Sequence, residues 1–210
     1  MALLSHLDLM RLLERALRRS GLPISFTGGF HPLPRVQIAL ALPLGAEADS
    51  EWMDMEFTKA LDPLQLQQGL QPLLPPGITL LSVAEVPVSS PSLSQEIRAA
   101  VWSFDVELKS GKTMEWSSAI ANLLAAEELM WHDTDKKGRP RSRDCRSVLR
   151  RLDVVSDPGD SRLRLRLEAD VDSMGRSLRP SQIQHWLEEQ VSAPIALQSL
   201  KRDRLELARC

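Results

Sequence analysis

The stretch from Ser5 to Gly45 constrains the fold of this chain more than any other part of it. It begins with a helical pattern, passes through a Gly-Gly-Phe-His-Pro loop and continues into residues of alternating polarity. Ser5 and Asp8 have the spacing of a capping box, with aspartate in place of the usual glutamate or glutamine. At about 100° per residue, the apolar residues that follow share one side of the helical wheel. We therefore predict an amphipathic helix that starts at Ser5 and ends at Gly21, with Pro23 preventing its continuation.

The other side of this helix is charged. Arg11, Arg15 and Arg18 lie on it together with Arg19 and two carboxylates. The planar guanidinium group pairs well with phosphate, so we predict that Arg11, Arg15 and Arg18 contact an anionic partner. The alternative is a solvated face on which the arginines pair with the neighbouring carboxylates.

The loop after the helix is the most specific motif in the chain. Gly28 and Gly29 allow a positive φ or a close approach to another molecule. Phe30 is a large apolar residue that a solvent loop does not need, and His31 and Arg35 add polar binding groups. These residues suit binding of a phosphate, a base or a peptide backbone. The alternative is that Phe30 fills the core at the entry of a bent strand.

The rest of the first half follows the order helix, strand, strand, helix, strand. Alternating polarity predicts strands at Val36–Leu42, Glu51–Phe57 and Ile78–Val86, and Asp62-Pro63 begins a helix between the last two. A second placement puts Ile24–Phe26 in the first of these strands and makes the glycine loop a hairpin tip. One strand ahead of Ser5 would complete a ferredoxin-like βαββαβ unit.

The second half repeats this order. We predict strands that end at Leu108 and Leu207, and helices at 114–129 and from Pro180 to Val191. The predicted fold is therefore α+β, with tandem ferredoxin-like (βαββαβ) domains, antiparallel sheets and a first domain that lacks its first strand. The domains cover 1–88 and 98–210, and a Pro- and Ser-rich linker covers 89–97.

A dense basic segment lies in the second half. Its predicted RNA contacts are Lys136, Lys137, Arg139, Arg141 and Arg143. So many like charges are costly to keep close together without an anionic partner, and RNA phosphate is the natural candidate. The alternative is a solvated hairpin tip.

A second basic pattern lies further along the chain. Arg162, Arg164 and Arg166 alternate with leucines and form a row on one strand face, which favours RNA binding unless nearby carboxylates neutralise it.

The bulk composition limits the class of protein. The formal net charge is −2, so no global field attracts nucleic acid. The two cysteines have no disulfide or metal-ligand spacing, and we predict no metal site and no cofactor. No apolar run approaches the roughly 20 residues of a membrane span, and there is no signal peptide, so we predict a cytoplasmic protein without a membrane partner.

Two histidines lie close to the signature stretch. His6 falls in the first turn of the predicted helix, and His31 lies in the glycine loop. Such groups suit general acid–base chemistry and are the only candidates for metal-independent RNA cleavage. The pattern supplies no partner side chain, and a structural histidine is the more common outcome, so we favour a protein that is not an enzyme.

The first 60 residues resemble a known family, the radical-SAM-linked bacterial domain of unknown function. The matching motifs are Ser5-His6-Leu7-Asp8-Leu9-Met10-Arg11, Gly29-Phe30-His31-Pro32 and Ala41-Leu42-Pro43-Leu44-Gly45, with Asp54 and, later, Arg179-Pro180. The resemblance implies an accessory or substrate-presenting role beside a cobalamin-binding radical SAM enzyme. The tandem fold also resembles the RNA-processing proteins of CRISPR systems.

Members of the radical-SAM-linked family carry a strand ahead of the Ser-His-Leu-Asp motif. Residues 1–4 leave no room for it, so we expect either a start further upstream or completion by another chain.

Three hypotheses follow. The first is a non-catalytic, RNA-binding accessory of a radical SAM modification system. The second is a protein-docking module for the radical SAM enzyme, with the glycine loop holding the partner. The third is a metal-independent endoribonuclease of the type found among the CRISPR proteins, which would depend on His31.

Overall fold

The structure is a computed structural model that describes residues 5–109, 116–135, 137–159 and 162–208. The protein is α+β and divides into two compact units, Met1–Glu96 and Ile97–Cys210. In the described part of the chain no helix is long and apolar enough to cross a membrane.

The first unit is built on the predicted amphipathic helix. Its elements are α1 (His6–Arg19), β1 (Val36–Ile38), β2 (Glu47–Ala48), β3 (Met53–Met55), α2 (Pro63–Leu70) and α3 (Leu93–Glu96). Helix α1 begins as predicted, because the Ser5 hydroxyl oxygen accepts from the Asp8 N–H at 3.2 Å. The same hydroxyl donates to the Asp8 carboxylate at 2.6 Å and so lowers the pKa of Asp8. The helix ends where Gly21 takes a φ of 69°.

The core of the first unit lies under α1. Leu13, Ala16 and Leu17 are its buried helical residues, spaced as the wheel predicts. They pack in one cluster with Ile24, Ile38, Leu70 and Leu74. The apolar side of α1 is thus the one that anchors the helix, and its arginines are left at the surface.

The strands of the first unit are shorter than predicted. β1 and β3 pair antiparallel, with Gln37 opposite Asp54, but each has only three residues. The predicted strand Ile78–Val86 is wrong, because this segment forms no ladder among the described residues. A strand needs a neighbour to supply its hydrogen bonds, and no described residues pair with this segment. The tandem ferredoxin-like arrangement is therefore not confirmed in the first unit.

The second unit contains β4 (Ile97–Leu108), α4 (Trp116–Ala125), β5 (Met130–Thr134), β6 (Pro140–Asp144), β7 (Leu149–Gly159), β8 (Arg162–Asp170), α5 (Pro180–Val191) and β9 (Ile195–Leu207). Its sheet has the strand order β9-β4-β8-β7, and all neighbours are antiparallel. Without the β5–β6 hairpin, the element order is the βαββαβ order predicted for this half. Leu163, Leu165 and Leu167 are fully buried, as their alternation with arginine predicts.

The basic segment lies on a hairpin of β5 and β6, the arrangement given as the alternative in the sequence analysis. It pairs antiparallel, with Trp131 opposite Arg143. The predicted helix 114–129 ends earlier, at Ala125, because the following residues lead into this hairpin. Two aromatic contacts fasten β5 to α5. The Trp131 ring lies edge-on to His185 at 5.3 Å and edge-on to Trp186 at 6.4 Å between ring centres.

Candidate functional site

The glycine loop, residues 27–33, is the tip of a hairpin. Phe26 and Pro34 form an antiparallel bridge at its base, and the Thr27 N–H donates to the Leu33 carbonyl at 2.9 Å. The Leu33 N–H in turn donates to the Thr27 hydroxyl oxygen at 3.0 Å. These two bonds close the loop from within. The structure combines the two placements that the sequence left open. The strand lies at Val36–Ile38, as in the first, and the loop is a hairpin tip, as in the second.

The tip of the loop points its side chains into solvent. Gly29 has a φ of 109°, which a residue with a side chain rarely adopts. Phe30 follows it and is 101% exposed. His31 and Leu33 are exposed as well. Phe30 therefore does not fill the core, and the alternative given above for this residue is wrong.

Arg18 fastens the loop to helix α1. Its Nη2 donates to the Pro32 carbonyl and also to Glu14 Oε1, the latter at 3.1 Å. Its guanidinium carbon lies 5.0 Å from the centre of the Phe26 ring. The guanidinium group of Arg18, a predicted phosphate contact, is thus already bonded to Glu14 and to the loop.

Arg35 is held in the same way at the other side of the loop. Its Nη1 donates to Glu56 at 3.3 Å, and its Nε donates to the Phe26 carbonyl at 3.4 Å. Both contacts lie at the surface, with the two side chains about half exposed. An anion that approaches Arg35 has to compete with Glu56 for it.

The remaining arginines of α1 form the open part of its charged face. Within the described residues, the Arg11 side chain makes only a long ion pair to Asp8, at 3.8 Å, and it is 71% exposed. Arg15 donates through Nε to the Arg11 carbonyl at 3.2 Å, which leaves its two terminal nitrogens at the surface. Arg19 is exposed, and its side chain forms no hydrogen bond or ion pair within the described residues. We call Arg11, Arg15 and Arg19 the basic strip.

The two candidate histidines lie in different surroundings. His6 Nδ1 is buried and has no hydrogen-bond partner among the described residues. His31 is exposed at the loop tip. Neither ring is hydrogen-bonded to a serine or lysine in the part of the chain described. In that part, no group of three or more His, Cys, Asp or Glu side chains is placed to hold a metal ion.

The basic segment of the second unit lies on the β5–β6 hairpin and is partly neutralised. Arg141 pairs with Asp133 through two hydrogen bonds of 2.7 Å, which lower the pKa of Asp133 and raise that of Arg141. Arg139 pairs with Asp135 at 2.6 Å. Backbone N–H groups, first that of Arg139, lower the pKa of Asp135.

Other members of the segment differ in their surroundings. Arg143 is half-buried beside Trp131, and its Nε has no partner within the described residues. Lys137 is exposed, and Lys136 lies outside the described residues.

The arginine row of β8 is neutralised across the sheet. Arg162 lies 3.5 Å from Glu107 and Arg164 lies 2.7 Å from Asp105, its register partner on β4. Arg166 lies 3.6 Å from Glu168 on its own strand. This row is therefore a network of ion pairs, as the alternative in the sequence analysis held, and it does not present free positive charge.

Sequence reasoning missed the aromatic cluster that holds the hairpin. Trp131 and Trp186 lie on a strand and a helix that are far apart in the chain, and the Trp186 indole N–H donates to the Met130 carbonyl at 3.0 Å. Both tryptophans are evident in the sequence, but their spacing along the chain does not predict that they are in contact.

The comparison with known families decides the identity of the chain. A family model described as "Uncharacterized protein conserved in bacteria (DUF2344)" matches residues 1–180. The chain belongs to the DUF2344 family. The match includes the glycine loop, the basic strip and the β5–β6 hairpin. No curated protein matches the sequence.

Solved structures are similar to this DUF2344 protein in fold. A chain of a Cbf5-Nop10-Gar1 complex matches with a TM-score of 0.55 and 10% identity, over 96% of this chain and 45% of that one. A chain of the archaeal box H/ACA sRNP Nop10-Cbf5 complex matches with a TM-score of 0.50 and 8% identity, over 96% and 44%. The DUF2344 chain thus spans less than half the length of these two. At such low identity the likeness concerns the fold alone.

Proposed function

We propose that this DUF2344 protein is a non-catalytic RNA-binding protein of the cytoplasm that serves as an accessory of a radical SAM modification system. The observation that carries RNA binding is the fully exposed Phe30 at the tip of a loop fastened to an arginine-bearing helix. An apolar ring in water is costly unless a partner covers it. A base is a natural partner, since every base presents a face on which an aromatic ring can stack.

The basic strip supplies the electrostatic part of the interaction. Arg11 and Arg15 are four residues apart and therefore neighbours on one helical face. Arg18 lies on the same face and connects it to the loop through the Pro32 carbonyl. In this proposal, one RNA segment makes both kinds of contact. Its phosphates contact Arg11 and Arg15, and one of its bases stacks on Phe30. Arg18 and Arg35 join the contacts when RNA displaces their carboxylate partners.

The β5–β6 hairpin is the second RNA-binding element that we propose. Lys136, Lys137, Arg139, Arg141 and Arg143 supply its positive charge, and Asp133 and Asp135 hold two of the arginines in place. One of the similar structures is a chain of a box H/ACA sRNP complex. This likeness supports the view that the fold is compatible with RNA-associated assemblies. The link to a radical SAM enzyme rests on the signature motifs of the first 60 residues.

A salt titration tests the proposal. Fluorescence anisotropy of a labelled RNA hairpin would be measured from low to moderate salt for three proteins. They are the native chain, the double variant Arg11→Gln/Arg15→Gln, and the control Arg162→Gln/Arg166→Gln. Each variant removes two positive charges, but only the first removes charges from the basic strip. We expect the first to reduce the slope of log affinity against log salt by about 1.4 to 1.8, at roughly 0.7 to 0.9 per phosphate contact. The control keeps the native slope.

Two outcomes would contradict RNA binding by the strip. Equal losses in both double variants would mean that only overall charge matters. An unchanged slope in both would mean that the strip makes no phosphate contact. The same assay tests the hairpin with a variant in which the charges of five residues are reversed: Lys136, Lys137, Arg139, Arg141 and Arg143. Unaltered RNA affinity in this variant would show that the hairpin does not contact RNA.

Protein docking is the second candidate function, and one observation favours it. The first unit has an open groove of about 580 Å³, and residues 53–57, which include β3, contribute to its lining. Co-purification of a radical SAM enzyme that survives nuclease treatment would support docking, and loss of the enzyme after nuclease treatment would assign the association to RNA.

A further inference from the structure

The exposed ring of Phe30 limits the kind of RNA that the first unit can take. The residue is 101% exposed, so no other part of the described chain covers the ring. An aromatic side chain stacks on RNA by covering the face of a base. Inside a duplex, the neighbouring base pairs already cover both faces of every base. An unpaired nucleotide can turn its base out, so the ring favours RNA that is unpaired at this position.

The loop holds Phe30 in place before any ligand binds. The Thr27 N–H donates to the Leu33 carbonyl at 2.9 Å, and the Leu33 N–H donates to the Thr27 hydroxyl oxygen at 3.0 Å. Gly29, immediately before Phe30, has a φ of 109°. A tip that is already ordered loses less conformational entropy when it binds. Insertion of the ring as a wedge into a duplex would, in addition, require two base pairs to unstack.

The basic strip adds a row of charges. Arg11, Arg15 and Arg19 follow one another at intervals of four residues, so they form a line along α1. At a rise of 1.5 Å per residue, their backbone positions are about 6 Å apart and the row is about 12 Å long. Successive phosphates of one extended RNA strand have a similar separation. Each arginine of the strip can therefore contact one phosphate of a single strand.

Arg18 connects the strip to the loop. It lies between Arg15 and Arg19 in α1, and its Nη2 donates to the Pro32 carbonyl. Pro32 is two residues from Phe30, which is at most about 7 Å along an extended chain. Phe30 is therefore close to the end of the strip that Arg15 and Arg19 form, and a strand that leaves the strip at this end can reach the ring.

The carboxylates on the same helix leave this end of the strip open. Glu14 Oε1 accepts from Arg18 at 3.1 Å, and Asp8 accepts from the Ser5 hydroxyl at 2.6 Å. Arg15 and Arg19 form no ion pair within the described residues. Their positive charge is therefore the most available to a phosphate, and it lies at the end of the strip nearest to the loop.

We propose that the first unit binds a single-stranded segment of RNA, with a phosphate at each arginine of the basic strip and an unpaired base on Phe30. This inference rests on the proposed RNA binding and names the class of RNA. One phosphate per arginine and one stacked base make a segment of about four nucleotides, at the short end of the range for single-strand sites. A duplex can supply phosphates to the strip, but it offers an open base face only at its ends.

Three labelled RNAs of one sequence test the proposal by fluorescence anisotropy on the full chain. The first is a single strand, the second is its blunt duplex, and the third is the same duplex with a bulge of about four unpaired nucleotides, the proposed site size. The β5–β6 hairpin can contact phosphates of all three. The measured quantity is therefore the ratio of affinities between the native chain and Phe30→Ala for each RNA.

The ratio should depend on whether the RNA has unpaired nucleotides. We expect Phe30→Ala to lose roughly 5- to 150-fold in affinity for the single strand and the bulged duplex, and less than about twofold for the blunt duplex. The control Leu44→Ala, at another exposed apolar residue, should show no loss with any of the three. Phe30→Trp should retain the native affinity for the single strand and the bulged duplex.

A fluorescent adenine analogue whose emission changes on stacking reports the contact itself. Placed in turn at each position of the bulge, it should change its emission at one position when the native chain binds. With Phe30→Ala at saturating protein, we expect no change at that position. A change that persists in this variant would assign the stacking to another residue and would overturn the proposal.

The outcomes separate this inference from the proposed function. Equal losses in Phe30→Ala for the single strand and the blunt duplex would place the ring on a duplex end or between base pairs. That result would overturn the single-strand inference and leave RNA binding in place. Native affinity of Phe30→Ala for all three RNAs would overturn it as well. Failure of the native chain to bind any of the three would remove the proposed function, and this inference with it.

Discussion

The Arg18 guanidinium carbon lies 5.0 Å from the centre of the Phe26 ring, and the same group donates to the Pro32 carbonyl. Phe26 and Pro32 lie on opposite sides of the glycine loop. One side chain of α1 thus fastens the loop in two places, and the direction in which Phe30 projects is set by the helix. The loop is therefore joined to the charged face of α1 by the side chain of Arg18.

The Arg18 contacts should be measurable as stability. Arg18→Ala removes the cation–π contact to Phe26, the hydrogen bond to the Pro32 carbonyl and the surface ion pair with Glu14. We expect a loss of about 1 to 2 kcal/mol in the free energy of unfolding by urea. Arg19→Ala removes a similar side chain that forms no hydrogen bond or ion pair within the described residues, and we expect a change within about 0.5 kcal/mol. Equal losses in the two variants would show that the Arg18 contacts do not hold the loop.

The two glycines of the loop should differ in their tolerance of a side chain. Gly29→Ala forces alanine to a φ of 109°, and we expect it to cost about 1 to 3 kcal/mol. A Cβ at Gly28 meets nothing within 4 Å, and its φ lies outside that region, so Gly28→Ala should be nearly neutral. Urea denaturation of both variants measures the difference. A larger loss in Gly28→Ala would mean that the loop has another conformation in solution.

Phe30 should matter for binding and not for folding. Because the ring is 101% exposed, Phe30→Ala should leave the midpoint of unfolding unchanged. Loss of one stacked base costs about 1 to 3 kcal/mol, so RNA affinity measured by anisotropy should fall roughly 5- to 150-fold. Phe30→Trp should retain affinity, and Leu44→Ala, at another exposed apolar residue, should not alter it. Native affinity in Phe30→Ala would contradict the stacking role.

The Asp105–Arg164 pair should make stability depend on pH. The hydrogen bonds from Arg164 hold the pKa of Asp105 below its ordinary value. A carboxyl whose pKa is lower in the folded state stabilises the fold above its unfolded pKa of about 3.9, and this contribution disappears as the pH falls through the folded pKa. Arg164→Gln should therefore lower the free energy of unfolding at pH 7 and change it little at pH 2.

The matched control for this titration is Arg19→Gln, which also removes one positive charge but has no carboxylate partner in the described structure. Its stability difference from the native chain should not vary with pH in the same range. A loss in Arg164→Gln that persists undiminished at low pH would show that packing of the arginine, and not its charge, supplies the stability.

The arginines show where sequence reasoning reaches its limit. The row Arg162, Arg164 and Arg166 was predicted as a strand face, and the strand is there. Arg166 pairs with Glu168 on the same strand. Whether Arg162 and Arg164 are free or neutralised depends on Glu107 and Asp105, which lie on β4 and meet β8 only through the antiparallel register. Long-range register is not encoded in local spacing, so the pairing was left open.

Local patterns in the sequence were sufficient for the amphipathic helix, its Ser5 cap, its end at Gly21 and the alternation of β8. These features depend on residues within a few positions of each other, and their hydrogen bonds are local. Tertiary structure decided whether Ile78–Val86 becomes a strand, whether Phe30 is buried and which side chains Arg18 and Arg164 contact. Each of these needs a neighbour from a distant part of the chain, because a strand edge, an apolar ring and a guanidinium group are satisfied only by what lies beside them in space.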